Sequence, residues 1–132
     1  MAEALARELS PADRFSSAGL FADVDERAAA HAVEILQSKG IDLLAHRARL
    51  LDDEILKNAE LVLCMTAEHR RALAAKFPEY TQRTHLLREF VGLDPVDVGD
   101  PFGGSLLDYQ ACLQALEESL RLLAGRKQTQ TR

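Results

Sequence analysis

LVLCMTAEHRRALAAK, residues 61–76, decides the fold class. Its first five residues are an unbroken apolar run of strand length, the pattern of a strand buried on both faces of a parallel sheet. Thr66 then offers a side-chain oxygen to the free N–H groups of a helix running to Lys76; Glu68 lies in its first turn and Pro78 closes it. A buried strand that turns directly into a capped helix is half of a βαβ unit.

Working outward, the other segments complete that pattern. Downstream, residues 84–87 are a second short strand. Residues 92–104 form a long loop containing Pro95, Pro101 and Gly92, Gly99, Gly103 and Gly104. Ser105 and Asp108 have the spacing of a capping box and open an amphipathic helix that ends near Gly125. Upstream, Asp52 starts a short helix over 52–58. Residues 25–39 carry Ala28, Ala29, Ala32, Val33, Ile35 and Leu36 at helical spacing before Gly40 stops them. Residues 14–18 are extended, and residues 1–9 form a helix ended by Ser10-Pro11. Strands alternating with helices imply right-handed crossovers and an α/β fold, a parallel sheet with helices on both faces.

The 132 residues suffice for one hydrophobic core and not for two. The expected organisation is a single domain over residues 1–125 and a flexible polar tail over 126–132. A net charge of −5 without a Lys/Arg cluster argues against nucleic-acid or anionic-membrane partners. No apolar run approaches the roughly 20 residues of a membrane span, and residues 1–9 lack the pattern of a signal peptide, so the expected location is the cytoplasm. Cys64 and Cys112 have neither a CxxC nor a Cys/His ligand spacing, and both are expected to be reduced and structural. No metal and no cofactor are expected. His31, His69 and His85 are assigned to surface or core positions, and the charged runs at 52–54 and 68–71 to solvated helix starts.

Several segments, in order, carry a resemblance: MAEAL from Met1, SSAGL from Ser16, GID from Gly40 with HRAR from His46, LVLCMT from Leu61, and DPFGGS from Asp100. Together they resemble the low-molecular-weight protein-tyrosine phosphatase family of hydrolases, spread over nearly the whole chain. The resemblance implies a phosphotyrosine protein phosphatase I-like sheet. It also implies that Met1 follows directly after a phosphate loop of the form C-x5-R-S. The chain is therefore expected to be truncated at its N-terminus, without the first, central strand, which the strands at 14–18 and 61–65 would otherwise flank. Such a chain is expected to be weakly stable and to associate through open sheet edges.

By the same resemblance Asp100 is the general acid for a cysteinyl-phosphate intermediate and the base for its hydrolysis. Phe102 and Phe21 are its substrate-lining aromatics, and Ser17 and His46 support the phosphate loop. The implied partner is a phosphorylated protein, carrying phosphotyrosine or, as in bacterial relatives with a similar DPFGGS segment, phosphoarginine. Without the loop's thiolate and arginine the chain is expected to be inactive. The alternative is a catalytically dead phosphoprotein-binding or regulatory module. A thioredoxin-coupled arsenate reductase ranks lower, because Cys64 and Cys112 do not form its redox pair.

Overall fold

The structure, a computed structural model, describes residues 1–20 and 26–130, the side chains of 126–130 excepted. Helix α1 spans Ala2–Leu9, α2 Ala30–Gln37 and α3 Asp53–Lys57. Strand β1, Val62–Cys64, leads into α4, Ala67–Lys76. A 3-10 helix over Pro78–Arg83 precedes β2, Thr84–Leu86, which passes without a loop into α5, Leu87–Phe90. The long helix α6 covers Leu106–Gln130.

The two strands pair in parallel, Val62 opposite Thr84, Leu63 opposite His85 and Cys64 opposite Leu86. Parallel neighbours need a crossover, and α4 with the 3-10 helix supplies it. Strand periodicity then divides the apolar side chains between two cores. Leu61, Leu63 and Met65 pack toward the larger one, where Leu5 of α1, Leu36 of α2 and Leu113, Leu116 and Leu120 of α6 are buried. Val62 and Cys64 face the smaller one, made of Leu56, Leu73, Tyr80 and Leu86. Each buried leucine contributes about 1.5–3 kcal/mol. An α/β fold with helices on both faces of a parallel sheet is the observed architecture.

Local chemistry explains the boundaries. Asp52 caps α3, its Oδ1 accepting from Ile55 N at 2.8 Å, and Thr66 Oγ1 caps α4 by accepting from His69 N at 3.1 Å. Three expectations need correction. Residues 14–18 are not a strand. Two of their carbonyls accept from side chains, Phe15 O from Arg7 and Ser17 O from Arg49 Nε, and within residues 1–20 the bridge pairing lies at Gly19, opposite Leu50. Helix α2 starts at Ala30 and not before, because Glu26 O accepts from Ala48 N and Arg27 forms an antiparallel bridge with Arg47; Asp25 lies outside the described residues. The last helix runs to Gln130, past Gly125, which lacks the positive φ of a left-handed helix cap.

Candidate functional site

The loop between α5 and α6 presents Asp100. Its Oδ1 accepts from Phe102 N at 3.0 Å, a tight turn closed further by Gly104 N donating to Pro101 O at 2.8 Å. Gly103 sits at φ +78°, and a Cβ on Gly104 would meet Asp108 Oδ2 at 2.5 Å and Pro101 O at 2.9 Å. DPFGGS therefore adopts a shape that other residues at 103 and 104 would strain. The turn delivers an exposed Asp100 carboxyl and a Phe102 ring that is 76% exposed.

Asp100 and the start of α1 both lie near Cys112 on α6. The negative charge of Asp100 acts on Tyr109 and on Cys112, and the Met1 amino group acts on Cys112. Burial is the main cause of the raised pKa of both Tyr109 and Cys112, with Asp100 adding to it. Burial likewise lowers the Met1 amino group.

Ser17 is exposed and donates Oγ to Glu3 Oε1 at 3.0 Å; Glu3 also pairs with Arg7 at 3.4 Å. The hydroxyl thus turns toward the first turn of α1. His46 is half-buried, with its backbone N donating to Leu43 O at 3.0 Å and its O accepting from Arg47 at 2.8 Å. Asp100 and Phe102 are brought together, Ser17 is bound to the start of α1, and Phe21 lies outside the described residues.

One spacing escaped the sequence reading: Cys64 and Arg70 stand in C-x5-R order within CMTAEHR. The structure shows why this is no phosphate cradle. Cys64 closes β1 and Thr66 already caps α4, so only Met65 separates strand end from cap. Two of the leading N–H groups of α4 are taken, His69 N by Thr66 and Ala67 N by Asp97 Oδ1 at 2.9 Å. Burial pushes the Cys64 thiol up and outweighs the opposing charge of Arg70. Among the described residues no three His, Cys, Asp or Glu side chains gather as a metal site would need, and no helix is long and apolar enough to cross a membrane.

A parallel strand–helix–strand unit with a DPFGGS turn beside the start of a helix defines the class by its architecture, an α/β domain. The sequence profile of the low molecular weight phosphotyrosine protein phosphatases matches residues 1–132, and the chain belongs to that family. A protein-arginine-phosphatase of Bacillus subtilis (strain 168) is 40% identical over 128 residues, covering 94% of this chain and 85% of the relative. Among solved structures, the YwlE arginine phosphatase of Geobacillus stearothermophilus superposes with a TM-score of 0.91 at 37% identity, over 98% of this chain and 84% of the other. The low molecular weight protein tyrosine phosphatase of T. tengcongensis gives 0.89 at 38% identity, over 95% and 88%.

Proposed function

We propose that residues 1–132 are the acid-presenting body of a protein phosphatase that acts on phosphorylated protein, with phosphoarginine ahead of phosphotyrosine as the group removed. The observation that carries this reading is the turn that presents an exposed Asp100 carboxyl in a chain of this family. The 40% identity to a protein-arginine-phosphatase supports putting phosphoarginine ahead of phosphotyrosine. Asp100 in its acid form gives its proton to the leaving nitrogen or oxygen as that atom's bond to phosphorus breaks and a bond forms from the thiolate of a C-x5-R-S loop acting together with this body. The resulting carboxylate takes a proton from the water that attacks phosphorus and releases the thiolate. Phe102, beside Asp100, meets the substrate side chain in this reading, with Phe21 on the opposite side; Ser17 and His46 steady the phosphate-binding loop.

Neither cysteine of residues 1–132 is a poised nucleophile. Burial pushes up both Cys64 and Cys112, so neither is a thiolate near neutral pH. The proposal also includes inactivity of these residues alone, a cytoplasmic setting matched by two free cysteines, and self-association through the edges of the sheet that is two-stranded among the described residues.

The test measures phosphate release from para-nitrophenyl phosphate, a phosphoarginine protein and a phosphotyrosine protein. Residues 1–132 should release none, and Cys64→Ala and Cys112→Ala should change nothing. The same chain preceded by a C-x5-R-S loop should turn over, and Asp100→Asn should slow it by about 10²–10⁴-fold. Cysteine-dependent turnover by residues 1–132, or indifference to Asp100→Asn, would overturn the proposal. Tight capture of phosphoprotein without turnover in either form would favour a binding module.

A further inference from the structure

The stretch leading into Asp100 is held at two places. At its start stands Arg88, a charged residue only 5% exposed. Its Nε donates to Pro95 O at 2.6 Å and one terminal nitrogen to Asp94 O at 3.1 Å. The other terminal nitrogen reaches Ala115 O and Ser119 Oγ of α6, each at 3.2 Å, and Glu118 lies 3.6 Å away. A guanidinium forked between two carbonyls of a loop and one turn of a helix fixes the loop to that helix, because each donor has a set direction.

At the far end, Val98 is 4% exposed and its N–H donates to Met65 O at 2.7 Å, between β1 and α4. One residue earlier, Asp97 accepts from Ala67 N, the first residue of α4. That donor has no partner within its own helix, and a carboxylate there also meets the positive end of the helix dipole. The bond spans 30 residues of sequence, so it joins the loop to the body of the domain. Asp100 follows two residues after Val98, exposed and within a turn of its own making. Its position is therefore inherited from whatever holds residues 94–98.

We propose that Asp97 and Arg88 are positioning residues for Asp100, Arg88 pinning the start of the loop to α6 and Asp97 pinning its end to the N-terminus of α4. The inference rests on the acid–base reading of Asp100. Reacting groups displaced by about 1 Å lose rate on the order of a hundredfold, so an exposed acid on a long loop needs such anchors.

The experiment compares Asp97→Ala, Asp97→Asn and Arg88→Lys with the parent chain by NMR, reading amide hydrogen exchange and the side-chain carboxyl carbon of Asp100. Asp97→Ala should speed exchange at Val98 by about tenfold or more while Leu116 and Leu120 of α6 stay within about twofold of the parent. It should also move the Asp100 carboxyl signal. Asn still offers an accepting oxygen, so Asp97→Asn should restore most of both. Arg88→Lys keeps charge without the fork and should disturb the same two signals. If that variant unfolds, the Asp97 pair decides alone.

Unchanged exchange at Val98 in Asp97→Ala, or faster exchange throughout α6, would overturn the proposal. Faster exchange at Val98 with a stationary Asp100 signal would overturn it as well, by showing an anchor that positions nothing. These signals require no turnover, so failure of the phosphatase reading would show itself separately, in the phosphate-release assay.

Discussion

Ser105 and Asp108 cap each other. Ser105 N donates to Asp108 Oδ2 at 2.9 Å, and Asp108 N donates to Ser105 Oγ at 3.3 Å. Two backbone donors that the first turn of α6 would leave unmatched are satisfied by two side chains, and the chain leaves the Asp100 loop in one fixed direction. Ser105→Ala should lower stability by about 1 kcal/mol, a fall in melting temperature of roughly 3–5 °C. Ser105→Asp should keep most of it. Thermal unfolding by circular dichroism measures both, and equal losses in the two variants would exclude the cap as the cause.

Gly103 and Gly104 are adjacent but constrained differently. At 103 the backbone has φ +78° with open space around the missing Cβ, so Gly103→Ala meets only a conformational penalty of about 1 kcal/mol. At 104 an added methyl would press on a backbone carbonyl, Pro101 O, and on the very carboxylate that caps α6. Gly104→Ala should therefore cost more, about 1–3 kcal/mol. Denaturant unfolding of the two variants ranks them, and the reverse order would refute this account of the turn.

Much of this was legible in the sequence, and the misses share a physical cause. The apolar run at 61–65, the caps Asp52 and Thr66, and the Ser105/Asp108 box act through neighbours in sequence, and each appears in the structure near its expected place. The Asp100 turn was legible for the same reason, since DPFGGS builds it from its own residues. What stayed hidden depends on partners far along the chain. Nothing local shows that Arg27 pairs with Arg47 and so delays α2, that Asp97 caps α4 from 30 residues away, or that Arg88 is buried among carbonyls. The C-x5-R spacing at Cys64 shows the converse, a local pattern whose geometry forbids the chemistry that it suggests.

Alkaline pH should weaken the fold. Burial is the main cause of the upward shift of Cys64 and Cys112 from their ordinary 9.0 and of Tyr109 from 10.0. The hydrogen bond from the Tyr80 hydroxyl to Asp53 Oδ1, at 2.7 Å, is the main cause for Tyr80. In each case the folded state holds its proton more tightly than the unfolded chain. The contribution is fully present below the ordinary value and is lost as pH rises through the folded-state value. Melting temperature should begin to fall near pH 9 and fall more steeply above 10. Cys64→Ala should flatten the first part of the decline and Tyr80→Phe the second, whatever either does to stability at neutral pH. Slopes identical to the parent in both variants would show that these groups do not set the alkaline limit.

Phe102 and Leu116 give the sharpest contrast between a residue that faces water and one that holds the fold. Leu116, 2% exposed, lies in the core that α1 and α2 share with α6, whereas Phe102 is 76% exposed and Leu107, the second residue of α6, is 74% exposed. Truncating a buried leucine removes its transfer energy and leaves a cavity, so Leu116→Ala should cost about 2–5 kcal/mol. Truncating Phe102 removes a ring that already faces water, and Phe102→Ala should change stability by less than about 0.5 kcal/mol. Urea denaturation of the two variants is the measurement. A Phe102→Ala loss approaching that of Leu116→Ala would make the ring a packing element and count against its proposed contact with a substrate. Near-neutrality leaves an aromatic side chain beside Asp100 that folding does not need, which the proposed substrate contact requires.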